Sequence, residues 1–369
     1  MTQRERELLK ILKDDPLISQ QELADKLNIA RSSVAVHITN LMKKGYIKGK
    51  GYILNEENKI TIVGGANIDL QGFPKSSLIM EDSNVGTMTT SLGGVGRNIA
   101  ENLVRLGEAT RLISVVGDDF YGKKILEESN LLGLDVDHTL VVPGESTSTY
   151  MSIMDENKDM KVAISSMDIL SNLNSSFFRK KTAILRNSSA IAIDTNLPQD
   201  SIEFICEEFK DLPLFLDPVS TTKAKKVVNL LKYFHTIKPN IHEAQILYGK
   251  EIHSIEDVKK AGEYFLKKGI KRAFISLGKD GIFCCSDSDS FVLKAINPMI
   301  KSATGAGDAF MAGTLLSHKK NLSLKESAIF SLGASLAALQ DENTINPRIS
   351  EREVKRIISN SNIDLVENI

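Results

Sequence analysis

A seven-residue segment near the C-terminus, Ser302–Asp308, constrains this chain more than any other part of its sequence. It reads Ser-Ala-Thr-Gly-Ala-Gly-Asp and leads into a small, apolar segment at 309–316 that is typical of a helix. Helix N-termini carry unpaired N–H groups and the positive end of the helix dipole, so Gly305, Ala306 and Gly307 predict an anion pocket. Asp308 beside that pocket is a candidate base for a hydroxyl proton while the amides hold a phosphoryl group. The alternative at this point is an ordinary capping aspartate after a glycine-rich turn.

The composition is that of a globular protein without a disulfide framework. The 369 residues are 42% hydrophobic and 25% charged, which suits one large domain and one small one. The chain has three cysteines, two of them adjacent, and six scattered histidines without metal-ligand spacing. No apolar run is long enough to span a membrane and the N-terminus has no secretory h-region, so we expect a cytoplasmic protein with no membrane partner.

Charge is divided unevenly along the chain. Residues 1–55 carry ten Lys or Arg and six Asp or Glu, a net charge of +4, and the remainder carries −5. A basic head on an acidic body predicts two domains with different partners. We place the boundary near the polar segment 55–59, which gives a head of residues 1–55 and a large domain of residues 59–369.

The head has the pattern of a winged helix-turn-helix module. Apolar spacing predicts three helices, over residues 4–13, 20–27 and 31–44. Residues 46–54 predict a hairpin with a basic tip that could reach DNA phosphates. The residues that the third helix would present to the major groove are Arg31, Ser32, Ser33 and His37. The alternative is that the head is a protein–protein adaptor or a dimerisation unit.

The large domain alternates between strand-like and helix-like segments, which predicts an α/β layered sheet with helices on both faces. The predicted strands are 59–65, 110–116, 190–194, 213–217, 235–238, 272–276 and 281–285. The predicted helices are 97–106, 120–131, 199–210, 221–232, 242–248, 255–267, 308–318, 323–339 and 350–359. Two regions break the alternation, at about 70–92 and 139–167, and we interpret them as a small β-lid over the substrate site. Ligands bind at the C-terminal ends of the strands in such sheets.

Three motifs of the large domain resemble signatures of the ribokinase-like (PfkB) family of sugar and nucleoside kinases. Gly93-Gly94-Val95-Gly96-Arg97-Asn98 resembles the N-terminal signature, and Thr304–Asp308 resembles the C-terminal one. Asn240-Ile241-His242-Glu243 is similar to the family's N-x-x-E motif. The motifs occur in the family's order across residues 60–360. The resemblance implies a ribokinase-like layered α/β sheet with a β-lid, and ATP-dependent phosphoryl transfer to an alcohol.

The resemblance also implies a role for each matched position. Asp308 resembles the base that activates the acceptor hydroxyl, and Gly305, Ala306 and Gly307 resemble the anion hole for the phosphoryl group. The positions that resemble those binding sugar hydroxyls are Asn67, Asp69, Gly93, Gly94 and Asn98. The chemistry of Asp69 agrees independently, because one carboxylate can accept hydrogen bonds from both hydroxyls of a vicinal diol.

The nucleotide side of the site is implied by the same resemblance. Asn240 and Glu243 resemble the part that orients Mg²⁺ and its waters, so Glu243 is expected to act on the metal through water. Ser276 and Gly278 resemble the strand end that touches ATP. The implied cofactors are therefore ATP and Mg²⁺. Several family members bind a monovalent cation with an aspartate shortly before the glycine loop, where this chain has Ser302, so dependence on such a cation stays open.

Within the family, the sequence is similar to the subgroup that phosphorylates the ribose 5′-hydroxyl of pseudouridine. The stretches that carry this similarity are 67–72, 82–86, 93–102, 117–122, 143–150 and 217–220. A polar lid suits the hydrogen-bonding edge of uracil, and the candidate contacts to the base are Ser91, Thr149, Asp168, Met151 and Met167. A kinase for another nucleoside or for ribose, and a ligand-sensing transcriptional regulator, are the alternatives. Because family lids often pair, we expect a homodimer.

Overall fold

The protein is described here by a computed structural model that covers residues 1–49, 58–157, 159–296 and 298–367. The chain divides into two compact units. One consists of Met1–Lys59 with Arg179–Ser188, and the other of Ile60–Phe178 with Ser189–Ile369.

The first unit contains residues 179–186 of a later helix, α6 (Ser175–Arg186), and three short N-terminal helices around a small apolar core. The three N-terminal helices are α1 (Gln3–Asp14), α2 (Gln20–Leu27) and α3 (Arg31–Lys43). Thr2 and Ser19 begin α1 and α2 with capping boxes, in which the glutamate three residues later accepts from the cap's own N–H. The predicted helices are confirmed to within a residue, whereas the predicted hairpin at 46–54 lies mostly outside the described residues.

The large unit alternates strands and helices. Its strands are β1 (Ile60–Val63), β2 (Asn67–Pro74), β3 (Gly86–Gly93), β4 (Thr110–Ile113), β5 (Val115–Gly117), β6 (Leu140–Val142), β7 (Thr149–Met154), β8 (Met160–Ser166), β9 (Ala190–Asp194), β10 (Leu214–Asp217), β11 (Thr236–Ile237), β12 (Arg272–Ser276), β13 (Ile282–Ser286), β14 (Ser290–Ala295) and β15 (Ile363–Glu367). The helices that follow α3 in the chain are α4 (Val95–Arg105), α5 (Phe120–Leu131), α6 (Ser175–Arg186), α7 (Gln199–Glu208), α8 (Thr221–Ala224), α9 (Ile241–Tyr248), α10 (Ile255–Lys267), α11 (Ala306–Lys319), α12 (Leu324–Leu339) and α13 (Glu351–Asn360).

The main sheet has nine strands in the order β15-β14-β13-β12-β11-β10-β9-β1-β4. Within this sheet the strands β4, β1, β9, β10, β11 and β12 run parallel to one another. The strands β13, β14 and β15 extend the sheet with antiparallel pairing. One face packs on α4, α11, α12 and α13 through residues such as Ile60, Ile62 and Ala192. The alternate residues Ile191 and Ile193 are also buried, so both faces of the sheet are covered and the predicted α/β class is confirmed.

A second sheet, the lid, has four strands in the order β3-β2-β7-β8. Its strands fall within or next to the two predicted regions at 70–92 and 139–167. The first residues of the second region do not belong to it, because β6 pairs with β5 in a separate two-stranded sheet. The predicted helix at 221–232 is also wrong: α8 ends at Ala224 and short 3-10 turns follow. Lys226 holds this segment by donating to the carbonyls of Thr195 and Leu197, a tertiary contact that outweighs local helix propensity.

Candidate active site

A cavity of about 290 Å³ opens where the lid meets the C-terminal ends of the parallel strands. Loops after β1, β9 and β10 form its floor, the lid strands β2, β7 and β8 form one wall, and the start of α11 contributes Asp308. The polar side chains that line it are Asn67, Asp69, Asn98, Ser148, Tyr150, Ser165, Asn196, Lys223, Thr304, Asp308 and Thr344. The cavity therefore brings together the predicted base and the predicted hydroxyl-binding residues Asn67, Asp69 and Asn98.

Asp308 lies in the first turn of α11, but it does not cap the helix. Gly305 occupies the cap position, and Asp308 Oδ2 instead accepts a hydrogen bond from Asn98 Nδ2 of α4 at 2.9 Å. Burial, followed by the charge of Asp217, raises the pKa of Asp308 to about 7, against the opposing effects of Asn98 and Lys238. A carboxyl group with such a pKa is suited to general base catalysis near neutral pH.

Two glycines shape the N-terminus of α11: Gly305 at the cap position, where glycine is required, and Gly307 in the first turn. Gly305 has φ of +80°, and a Cβ there would meet the carbonyl oxygen of Thr344. At Gly307 a Cβ would come within 3.2 Å of Lys238 Nζ, so the glycine keeps open the space between the helix N-terminus and this ammonium group. This cradle of backbone N–H groups facing a cation fits a phosphoryl group.

Lys238 is a site residue that the sequence analysis missed. It follows β11, is buried, and its Nζ lies 3.1 Å from Asp217 Oδ2 at the end of β10. Although burial lowers it, the charges of Asp217, Glu243 and Asp308 raise the pKa of Lys238 overall. Lys238 is therefore a cation at the edge of the anion pocket. The one feature of the sequence that could have indicated a role for Lys238 is its place at a predicted strand end, just before Pro239 and Asn240.

Asp194 is a second site residue that the sequence analysis missed. It links the loop after β1, on the floor of the cavity, to the start of α4. Its Oδ2 accepts from the backbone N–H groups of Gly65 after β1 and Gly96 in α4, at 2.8 and 2.9 Å. The carboxylate is buried, and burial raises its pKa. Asp194 thereby holds the loop after β1 against the N-terminus of α4, which is the helix that carries Asn98.

The predicted hydroxyl-binding residues lie on β2, at the end of β3 and at the start of α4. Asn67 Nδ2 donates to Asp69 Oδ1 at 2.6 Å, which leaves Asp69 Oδ2 outside this pair. A Cβ at Gly93 would overlap the Asp69 carboxylate, and a Cβ at Gly94, with φ of +97°, would overlap the carbonyl of Gly65. Gly93 therefore serves close packing behind Asp69, whereas Gly94 lines the cavity itself.

The register of the lid decides which of its side chains enter the cavity. In β7, Thr149 pairs with Ile68 and Tyr150 pairs with Asp69, so Tyr150 lies on the cavity face and Thr149 on the opposite one. The structure does not bring Thr149 into the cavity. Of the other suggested base contacts, Met167 lines it, whereas Ser91, Met151 and Asp168 do not.

The predicted nucleotide-binding residues gather at the neighbouring strand ends. Asn240 caps α9 and forms a capping box with Glu243, whose Oε2 accepts from the Asn240 N–H at 2.9 Å. A bridge pairs Asn240 with Ser276 at the end of β12, and Gly278 begins the exposed turn that follows. Burial raises the pKa of Glu243. The capping box uses one Glu243 oxygen, so the other oxygen remains for Mg²⁺ or its waters, and this donor set fits the metal.

In the head, the predicted DNA-contacting residues lie on α3. Arg31 and Ser32 are exposed at the start of α3, and Ser33 and His37 are partly exposed. Val34, Ile38 and Leu41 bury the other side of α3 in the core of the head. The four predicted residues therefore lie outside the buried stripe of α3, and Arg31, Ser32 and Ser33 belong to the first turn of the helix.

The sequence model of the pfkB family of carbohydrate kinases matches residues 57–352 of this chain. The chain belongs to this family. A second model, for winged helix-turn-helix DNA-binding modules, matches residues 1–48. Members of the kinase family are phosphotransferases that use ATP and an alcohol acceptor, and the cavity described above lies entirely within the matched range.

Similar proteins agree with this assignment. The uncharacterised sugar kinase YeiI of Escherichia coli K12 is 37% identical over 95% of this chain and 97% of its own length, a share that must include most of the head. The pseudouridine kinase of Escherichia coli K12 is 37% identical over 84% of this chain and 99% of its own. A candidate sugar kinase from Clostridium perfringens has a crystal structure that superposes with a TM-score of 0.78, at 36% identity, and covers 85% of this chain and 99% of its own.

The described residues lack two kinds of feature. None of the helices there is both long enough and apolar enough to cross a bilayer. The same residues contain no group of three or more His, Cys, Asp or Glu side chains arranged to hold a metal ion.

Proposed function

We propose that this chain phosphorylates the ribose 5′-hydroxyl of pseudouridine with ATP and Mg²⁺ to give pseudouridine 5′-phosphate. The observation that carries the proposal is one cavity lined both by Asp308, in the first turn of α11, and by the Asn67–Asp69 pair. The 37% identity to a pseudouridine kinase across nearly its whole length supports the choice of substrate.

The residues of the site suggest the course of the reaction. Asp69 and Asn67 hold the ribose hydroxyls, so that the 5′-oxygen faces Asp308. Asp308 takes the 5′-hydroxyl proton as the oxygen forms its bond to the γ-phosphorus and the bond to the ADP oxygen breaks. The amides at the start of α11 and the Lys238 ammonium offset the charge on the transferring group, an effect worth about 3–4 kcal/mol for one well-placed donor. Mg²⁺, when bound, neutralises further phosphate charge.

The uracil ring has polar partners available on the other side of the cavity. Tyr150 and Ser165 lie on the cavity face of the lid, and Lys223 Nζ donates to Asn196 Oδ1 at 2.5 Å on the floor. These groups supply both hydrogen-bond donors and acceptors, which the uracil ring, with its two N–H groups and two carbonyls, requires. They support a nucleoside over free ribose, because ribose would leave them without partners.

The decisive experiment measures ADP release with pseudouridine, uridine, adenosine, guanosine, inosine and ribose. We expect the highest kcat/KM for pseudouridine. Equal rates for pseudouridine and ribose would contradict the substrate assignment. Preference for guanosine or inosine would favour another nucleoside kinase, a candidate supported by 28% identity to the guanosine-inosine kinase of Exiguobacterium acetylicum over 80% of this chain.

The head supports a second activity, sequence-specific DNA binding through α3. Its exposed Arg31 and Ser32 are at the N-terminal end of the helix, the part that reads base edges in helix-turn-helix proteins. Gel shifts with DNA from upstream of the gene, with and without pseudouridine, test the proposal. We expect a shift that Arg31→Ala weakens, and the absence of any shift in either condition would contradict it.

The outer face of the lid supports a homodimer. Met88, Met151, Val162 and Ile164 are exposed on it, on the side opposite Asp69 and Tyr150. A contiguous apolar patch of this kind usually marks an interface, and a second copy would offer the same patch by two-fold symmetry.

A further inference from the structure

A buried arginine on α4 connects to the carboxylate of Asp308 through one intermediate side chain. Arg97 is 3% exposed, and its Nη1 donates to Asn98 Oδ1 at 3.2 Å. Asn98 Nδ2 then donates to Asp308 Oδ2 at 2.9 Å. A chain of hydrogen bonds therefore runs from Arg97 through the Asn98 amide to Asp308.

We infer that Arg97 is a positioning residue, which keeps the Asn98 amide turned so that its nitrogen faces Asp308. An amide presents a donor at one end and an acceptor at the other, and a rotation of half a turn exchanges them. The guanidinium group can only donate, so it pairs only with Oδ1 and leaves Nδ2 for Asp308. The inference rests on the proposed role of Asp308 as the base.

The surroundings of Arg97 are costly for a residue that serves stability alone. It lies in the first turn of α4, where the helix dipole disfavours a cation, and its Nε has no hydrogen-bond partner. Its Nη2 pairs with Glu101, whose other oxygen accepts from Arg105 Nε at 2.7 Å. Glu101 thus fixes the guanidinium group in the orientation that lets it reach Asn98.

The charges around Asp308 explain why the direction of the amide matters. Asp217 and Asp194, at the ends of β10 and β9, disfavour the ionised carboxylate of Asp308. Lys238 after β11 and the Asn98 amide nitrogen on α4 favour it. If the amide turned, its oxygen would face the carboxylate, and Lys238 would be the remaining group that favours ionisation.

The test is the pH dependence of kcat/KM for the nucleoside at saturating ATP and Mg²⁺, measured on the full chain. The principal variant is Arg97→Met with Glu101→Leu, which removes both members of the buried ion pair. Arg105 loses Glu101 as a partner in this variant but keeps its hydrogen bond to the carbonyl of Pro347. We expect the acidic limb of the profile to move up by about one pH unit, equal to a rate about tenfold lower on that limb. Arg97→Lys serves as the second variant, because it keeps a cation but loses the planar fork; we expect its limb to move in the same direction.

Arg105→Gln is the matched control, because Arg105 shares the partner Glu101 but makes no hydrogen bond to Asn98. Its acidic limb should stay in place. An unmoved limb in a folded Arg97 variant, or an equal movement in Arg105→Gln, would overturn the inference. The role of Asp308 is tested separately by Asp308→Asn: loss of turnover there with an unmoved limb in the Arg97 variants would reject the positioning role alone.

Discussion

Replacing Asp308 by asparagine should remove activity and at the same time make the folded protein more stable above neutral pH. The substitution keeps the size of the side chain and its contact with Asn98, and it removes a charge that burial and Asp217 oppose. Activity and stability therefore respond in opposite directions to the same change.

The size of the expected change in stability follows from the pKa of Asp308. Asp308 has a pKa of about 7 when folded, compared with 3.8 for the unperturbed group. This raised pKa means that the folded state holds its proton more tightly than the unfolded state, so the stability contributed by the protonated acid is present below pH 3.8 and is lost as the pH rises to about 7. At about 1.4 kcal/mol per pH unit the loss is about 4 kcal/mol. Because Asp308 is partly exposed to the cavity, solvent screening makes this figure an upper bound.

The assay is thermal unfolding followed by circular dichroism at pH 5 and pH 8, since the chain has no tryptophan for fluorescence. Asp308→Asn should have the higher Tm at pH 8, and the difference should shrink at pH 5. Its kcat should fall by about 10²–10⁴, the usual contribution of a general base. Asp211→Asn, at an exposed position, is the control and should change neither quantity.

Two results would refute this reasoning. A Tm difference that is absent or equal at both pH values would show that the Asp308 charge does not oppose folding. Full turnover in Asp308→Asn would show that another group accepts the hydroxyl proton.

Four further outcomes follow from the geometry. Lys238→Met should lower kcat at least about tenfold while the KM for the nucleoside changes little, because the cation lies at the anion pocket; an unchanged kcat would contradict this. Gly305→Ala should lower both Tm and kcat, because its Cβ would meet Thr344, whereas Gly107→Ala, with φ of +92° and no such contact, should lower Tm alone. Ile164→Asp on the outer lid face should yield monomers in light scattering, whereas Thr89→Asp on the other face should not. Removal of Mg²⁺ should weaken ATP binding in calorimetry, and equal affinity with and without the metal would refute the electrostatic argument for it.

The parts of the site that could be predicted from sequence are those that local backbone geometry dictates. Gly305 and Gly94 adopt positive φ and sit in close contacts that exclude a Cβ, so their neighbours Asp308 and Asn98 are fixed by short stretches of chain. The α/β class followed from the same local signals, because buried strands and amphipathic helices alternate. Even there the antiparallel strands β14 and β15 were not predicted.

The parts that could not be predicted depend on pairing between distant segments. Thr149 and Tyr150 are adjacent, and only the register of β7 against β2 decides which of them faces the cavity. The sequence 149–154 mixes polar and apolar residues on both faces, so it does not specify that register. Asp194 and Lys238 become important through contacts with Gly65, Gly96 and Asp217, which no short motif contains.

The balance of charge at the strand ends favours the proposed use of Mg²⁺. The charges of Asp217, Glu243 and Asp308 all act on the ammonium group of Lys238, and burial raises the pKa of Glu243 and of Asp308. Such a site repels a triphosphate at alkaline pH, when the carboxylates are ionised. The amides at the start of α11 carry only partial charges, so they cannot offset this repulsion alone. A metal ion bound with the nucleotide would supply positive charge there, and Asp308 would remain available as the proposed base.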